Sequence, residues 1–359
     1  MPKIDSLRVS APGRICLFGD HQDFLGLAVI ASAINRRIVI TGTPRTDGQF
    51  HLLLPDIGSE DFFDPSQEIP YLGPRDYLRS VSNVIRRCGT QWPCGFDCTV
   101  RGDIPINAGV SSSSALVIAW TYFLLCAAAP DRAPDPVEVA RIGHRAEVLE
   151  FGEPGGMMDH YTSALGGTVY IDCGGDIAVE TLKRPLHGFV LGDSLEPKDT
   201  VGVLGQSKTD ALLGVRLMEE RMPGFHFRTS TADVVAPFLD ALPERARRKV
   251  YANVVNWEIT GAAKRLLETG PFDPAAFGTL IDRHHAMLRD GIGVSTPKLE
   301  RMIEAAKTAG ALGAKVNGSG GGGTMIAYAP GCEAKVVEAI DRAGGRAGVV
   351  TIDTGARRE

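Results

Sequence analysis

Apolar and polar positions divide the chain into short strands at its start, a long helical middle and a mixed end. Residues 6–10 alternate as a short strand, which Ala11, Pro12 and Gly13 break before an apolar run at 15–18. Residues 19–26 form a polar, turn-rich loop. Residues 29–35 and 37–43, rich in Ile, Val and Thr, predict two strands. A helical rhythm at 76–88 is followed by strand alternation at 96–101. Residues 113–129 predict a helix whose opening serines can cap it, and residues 136–151 a second helix stopped by the turn at 152–156. Residues 167–173 and 189–193 read as strands. From about 207 to 310 the pattern is mostly helical, with breaks at Pro223, Pro243, Pro271 and Pro297. A strand at 324–328, a helix at 333–343 and a strand at 347–352 close the chain. A boundary near residue 180 divides it into residues 1–180 and 181–359.

Composition narrows the partners. The 359 residues suit roughly two domains of ~150 residues each, and 44% hydrophobic with 23% charged content is ordinary for a globular protein. A net charge of −5 argues against nucleic acid or an anionic membrane as the main partner. No uninterrupted apolar stretch reaches the roughly 18 residues of a transmembrane helix. The longest, at 115–129, is interrupted by Trp120, Thr121 and Tyr122 and reads as a buried helix. The first residues hold no apolar run of signal-peptide length. The seven cysteines are scattered, and the one close pair, Cys94 and Cys98, has no partner pair at zinc spacing. Reduced thiols and a cytoplasmic location are therefore expected. A monomer and a homodimer are equally compatible with the sequence.

Four stretches carry candidate chemistry. The run PINAGVSSSSA at 105–115 puts Gly109 and four serines at the start of a helix pattern. A helix N-terminus exposes unpaired N–H groups and partial positive charge, so anions bind there. Small residues admit phosphate oxygens close to the backbone, and serine hydroxyls can donate to phosphate or ligate Mg²⁺. A plain capped helix explains the run equally well, and the Walker A lysine is missing. The loop after Arg14 packs Asp20, His21, Gln22 and Asp23 together, suited either to solubility or to binding hydroxyl groups, since a carboxylate accepts two hydrogen bonds. Asp159 follows a glycine-rich turn. It is either a turn former or an acceptor of a substrate hydroxyl proton, kept ionised by a nearby guanidinium. Glu147 lies on the preceding helix, as a solvated residue or a Mg²⁺ ligand. The cluster GSGGGG at 318–323, after Lys315 and Asn317, is a flexible link or a second backbone nest.

Three of these stretches, in this order, resemble the motifs of the GHMP kinase superfamily, named for galactokinase, homoserine kinase, mevalonate kinase and phosphomevalonate kinase. The first is APGRICLFGDHQDFLG at 11–26, the second PINAGVSSSSA at 105–115 and the third KVNGSGGGG at 315–323. GGMMDH at 155–160 also resembles the galactokinase loop that holds the catalytic acid. The resemblance implies an α+β, two-domain fold, with a ribosomal protein S5 domain 2-like N-terminal domain, a ferredoxin-like C-terminal domain and the site between them. Arg14, where the mevalonate branch usually has Lys, points toward galactokinases. Asp20 in place of the usual Glu, Gln22 in place of Thr and Cys16 in place of Asn depart from them, all in the sugar-contacting loop.

The resemblance implies a role for each matching residue. Asp159 accepts or orients the proton of the attacking hydroxyl. Arg14 lowers the pKa of Asp159 and stabilises the transferring phosphoryl group. Gly109, Val110, Ser111, Ser112, Ser113 and Ser114 cradle the phosphates of ATP, while Ser112 and Glu147 hold Mg²⁺. Asp20, His21 and Asp23 bind substrate hydroxyls beside Gly156, and residues 318–323 support the site from the C-terminal domain. The implied activity is a galactokinase-like, ATP-dependent kinase of a monosaccharide anomeric hydroxyl, with ATP and a small-molecule sugar or polyol as its partners. A kinase of another alcohol, such as mevalonate or a cyclic polyol, is the alternative. A non-catalytic sensor would need degraded catalytic positions, and Arg14, Ser112, Glu147 and Asp159 are all present. Residues 181–235 match no motif; Asp193, Ser194 and Lys198 are candidates there for substrate choice.

Overall fold

A computed structural model describes residues 5–106, 108–197 and 200–359. Two sheets organise it. The first opens with β1 (Leu7–Phe18) and β2 (Val29–Arg45), an antiparallel pair in register from Leu7 opposite Gly42 to Phe18 opposite Ile30. The short hairpin β3 (Phe50–Leu54) and β4 (Ser59–Phe63), helix α1 (Tyr77–Arg87) and strand β5 (Gly95–Gly102) follow. Helices α2 (Ser112–Ala128), α3 (Pro136–His144) and α4 (Met158–Leu165) lead to β6 (Thr168–Asp172) and β7 (Ala178–Leu182). The second half of β2 pairs with β5 and its first half with β6.

The second sheet starts with β8 (Phe189–Asp193). Five helices follow: α5 (Thr200–Arg221), α6 (Ala232–Leu239), α7 (Glu244–Glu268), α8 (Pro274–Ala286) and α9 (Pro297–Thr308). Strands β9 (Gly313–Val316) and β10 (Thr324–Tyr328), helix α10 (Glu333–Arg342) and strand β11 (Arg346–Val350) complete it. Its antiparallel order β11-β8-β10-β9 is 4-1-3-2 in chain order, the ferredoxin-like arrangement expected. The final strand β12 (Arg357–Arg358) returns to pair with β1 in the first sheet. No helix among the described residues is long and apolar enough to cross a membrane.

Two strand expectations are corrected. Residues 11–13 do not end the first strand; β1 runs through them with a shift of register between Pro12 and Arg14. Pro12, which lacks an N–H, is tolerated at such a bulge. Gly13 lies so near the Val110 carbonyl that a β-carbon there would stand 2.7 Å from its oxygen. Likewise residues 29–43 form one strand, because residue 36 continues the extended backbone. Helix α2 is apolar on every side, as a helix enclosed by others must be. Its Trp120 and Phe123 are fully buried, and Trp120 Nε1 donates to the Leu78 carbonyl of α1 at 3.0 Å. A separate apolar cluster joins the two sheets, with Ile15 and Phe18 of β1 and Val110 packed beside Phe189, Phe277 and Tyr328. The cleft lies above this junction.

Candidate active site

Three distant stretches meet at the carbonyl of Gly109. The bulge in β1 aims Arg14 across the cleft floor, where its Nη1 donates to Gly109 O at 2.6 Å and its backbone N–H to Val110 O at 3.2 Å. Asn317, just after β9, donates through Nδ2 to the same Gly109 oxygen at 2.9 Å and accepts the Cys16 N–H at 2.8 Å. Gly318 follows at φ +73°, in the left-handed region that favours glycine; a β-carbon there would lie 2.8 Å from Gly109 O.

Asp159 follows the glycine-rich turn, as the sequence has it, and lies in the first turn of α4, a helix the sequence pattern does not predict. Arg14 grips its carboxylate with two bonds, Nε to Oδ1 at 2.7 Å and Nη2 to Oδ2 at 3.0 Å. Arg14 is 5% exposed and Asp159 26%, so the carboxylate is the partner open to the cleft. Burial pushes the Asp159 carboxyl up, but the Arg14 charge and the hydrogen bonds to the carboxylate together hold the group below its ordinary 3.8. An ionised base next to a fixed cation results.

The polar loop divides into a buried and an open part. Asp20 lines the cleft wall, yet its Oδ2 accepts Lys315 Nζ and its Oδ1 accepts the Gly318 N–H, both at 2.8 Å. Lys315 Nζ also donates to Cys16 O at 2.8 Å. His21 sits at φ +63°, and its Nε2–H donates to Ser319 O at 3.0 Å. Burial pulls the imidazole down to about 4, so it is neutral near pH 7 and its Nδ1 is an acceptor. Asp23 lies at the start of a 3₁₀ turn, Asp23–Leu25, with Oδ1 accepting the Phe24 N–H at 3.0 Å. Burial, and then the Asp159 charge, push its carboxyl up to about 6. Gly156 presses against Asp23, and a β-carbon on it would fall within the Asp23 carboxylate.

Helix α2 starts at a left-handed Ser111, φ 60°, whose side chain makes no cap bond; the expected serine cap is absent. Its first backbone bond runs from Ala115 N–H to Ser111 O. The N–H groups of Ser112, Ser113 and Ser114 therefore stand at an open helix end that lines the cleft, beside Gly109. Asn107 of the same run lies outside the described residues. Glu147 lies in a π-helical stretch after α3, Arg145–Leu149, and its Oε2 accepts His160 Nε2–H at 2.7 Å. Ser112 and Glu147 line one cleft, but no group of three or more His, Cys, Asp or Glu suited to a metal occurs among the described residues.

Asp193 and Ser194, at the end of β8, do not line the cleft; the Ser194 N–H bonds Gly323 O at 2.8 Å. Lys198 lies outside the described residues. Sequence reasoning missed Arg75, Glu153, Phe24 and Leu204 on the cleft wall. Arg75, at φ +64°, grips Glu153 through two bonds of 2.8 and 3.0 Å. It lies in no motif. Lys315 and Asn317 were within a quoted motif, and their charge and amide beside the glycines were the available signal.

Comparison with known proteins matches the chain to one family over both halves. Residues 76–167 match the family described as GHMP kinases N terminal domain, residues 262–346 GHMP kinases C terminal, and residues 3–44 the galactokinase galactose-binding signature. The mevalonate kinase of Thermococcus sibiricus is 30% identical over 348 residues, covering 94% of this chain and 93% of that protein. The galactokinase of Pasteurella multocida is 29% identical over 347 residues, covering 90% and 86%. The structure of Lactococcus lactis galactokinase complexed with galactose superposes with a TM-score of 0.84 at 21% identity, covering 99% of this chain and 95% of that one.

Proposed function

The chain belongs to the GHMP kinases, ATP-dependent phosphotransferases with alcohol acceptors, and from that premise we propose that it phosphorylates the anomeric hydroxyl of a monosaccharide. The observation that carries the choice of acceptor is the charge balance of the cleft. Among the described residues, its only cationic side chains are Arg14 and Arg75, each held by a carboxylate. His21 is neutral. Among the described residues that line the cleft, a carboxylate acceptor such as mevalonate would face Asp23 and Asp159 with no unpaired cation. A neutral polyol instead finds an acceptor in the Asp23 carboxylate. The galactose-binding signature over residues 3–44 supports the same choice.

In the proposed reaction the sugar hydroxyl lies against Asp159, which takes its proton as the oxygen attacks the γ-phosphorus. The new O–P bond forms as the β–γ bridging O–P bond breaks, and ADP leaves with those electrons. Arg14 keeps Asp159 ionised beforehand. Three of its N–H donors are spent on Asp159 and Gly109, and the rest remain for the phosphoryl oxygens. The open end of α2 receives the phosphates on backbone N–H groups. Asp20 positions Gly318 and Lys315 and lines the acceptor end. Mg²⁺ fits the donor set, because a serine hydroxyl and a carboxylate are hard oxygen ligands and Mg²⁺ keeps waters and substrate phosphates for its remaining positions. Ser112 and Glu147 would hold it, with His160 orienting Glu147, and the ion when bound neutralises charge on the phosphates.

An ADP-release assay across free hexoses, pentoses, amino sugars, uronic acids and mevalonate tests the proposal. Turnover of a neutral sugar is expected. Turnover of mevalonate with no sugar active would overturn it in favour of the other alcohol kinases.

A further inference from the structure

Arg228 lies in the stretch between α5 and α6, far in sequence from every motif, yet it is bonded to the acceptor loop. Its Nη2 donates to the carbonyl of Gly26 at 2.6 Å. Gly26, at φ +71°, closes the Asp23–Leu25 turn by donating its N–H to Asp23 O at 3.0 Å. The Arg228 guanidinium is itself fixed on two sides. Asp172, at the end of β6, takes Nη1 at 3.0 Å and also Nη2. The Trp257 ring of α7 lies beneath it, 5.2 Å from Cζ to the ring centroid, and Trp257 Nε1 donates back to the Arg228 carbonyl at 3.2 Å. Space is reserved for this contact, because a β-carbon on Gly174 would strike Nη2. A planar fork that bonds a carboxylate and a carbonyl while stacked on an indole cannot be reproduced by a lysine.

We propose that Arg228 is a positioning residue for the acceptor: it locks the turn that presents Asp23 and Phe24 to the cleft, so the stretch between α5 and α6 tunes sugar affinity without touching the sugar. The proposal rests on the acceptor role given to Asp23 above. It accounts for how the unaligned stretch at 181–235 reaches the site.

The test uses the full-length enzyme and its best neutral sugar acceptor. Kinetics and Tm are measured for Arg228→Met, Arg228→Lys, Asp23→Asn and the Asp23→Asn/Arg228→Met double variant. Arg228→Met is expected to raise the acceptor KM by ten- to a hundredfold, with the ATP KM within twofold and kcat within about threefold. Arg228→Lys should fall between it and the parent. The double variant should be little worse than Asp23→Asn alone, because both changes act on one turn. If Arg228→Met does not fold, Arg228→Lys and Asp172→Asn must still show the KM split. Acceptor and ATP KM values that rise together, or additive losses in the double variant, would mean a general structural role and overturn the proposal. An unchanged acceptor KM in Asp23→Asn would instead remove the acceptor role of the loop itself.

Discussion

Arg14 joins two groups, the Gly109 carbonyl in the stretch before α2 and the Asp159 carboxylate of α4. Its proposed task in the transition state exceeds anything it does for bound ATP. Arg14→Ala should therefore lower kcat by about a hundred- to a thousandfold, in the range of a lost transition-state donor, with the ATP KM changing only a few-fold. Steady-state kinetics in both substrates check this, and a variant with normal turnover removes Arg14 from the mechanism. Asp23 makes a second prediction. Its carboxyl, pushed up to about 6 first by burial and then by Asp159, accepts hydroxyls best when ionised. The acceptor kcat/KM should fall about tenfold per pH unit below 6, while Asp159, held below its ordinary value, adds no limb there. A flat profile from pH 5 to 8 would show that ionised Asp23 is not required. The same raised value makes ionised Asp23 a cost to folding, absent below the ordinary 3.8 and complete above about 6. Asp23→Asn should thus raise Tm at pH 7.5, by at most about 3 kcal/mol of stability at ~1.4 kcal/mol per unit, and the gain should fade as pH falls toward 4.

Among the elements, most helices were legible and the places where elements touch were not. Residues 113–129 and 333–343 anticipate Ser112–Ala128 and Glu333–Arg342 to within a residue, because a buried helical period is a local property. The β1 bulge was misread as a break, since what keeps the strand going is its partner β2 and what requires Gly13 is the Val110 carbonyl, ninety-odd residues away. The helix that holds Asp159 is not predicted either, because after the glycine-rich turn nothing local shows that Met158 opens a helix. The hairpin β3–β4 was missed, its exposed Ser59 and Glu60 and the charge of Asp61 hiding a short edge pair. Gly156 tests how tightly these elements fit. It lies before α4 against Asp23, where a methyl group must displace the carboxylate. Gly156→Ala is expected to raise the acceptor KM at least tenfold, with the ATP KM within twofold. Equal rises in both KM values would mean that the whole cleft had shifted.

Across the whole molecule, the two sheets are joined through buried polar groups contributed from opposite ends of the chain. Lys315, fully buried on β9, meets Asp20, 295 positions earlier, at 2.8 Å. Asp20 in turn holds Gly318 N–H, and Asn317 binds Cys16 and Gly109. The sequence displayed both partners inside motifs but could not pair them, because spacing along the chain carries no information about a contact between sheets. Burial would raise the Asp20 carboxyl; the Lys315 charge and the hydrogen bonds to the carboxylate together keep it below its ordinary value. Removing the cation alone leaves a buried carboxylate without its counter-charge, a loss of about 3–5 kcal/mol. Lys315→Met should accordingly lower Tm by roughly 5–15 °C at neutral pH, and it should raise the ATP KM as the Gly318 loop loosens over Gly109. Pairing it with Asp20→Asn removes the stranded charge while leaving an acceptor for Gly318, so the double variant should recover much of the lost Tm. Calorimetry on both variants decides the point. If the single variant melts within 2 °C of the parent, or the double variant melts lower still, the Asp20–Lys315 pair does not hold the two sheets together and the cleft owes its closure to the apolar junction of Phe18, Phe277 and Tyr328 beneath it.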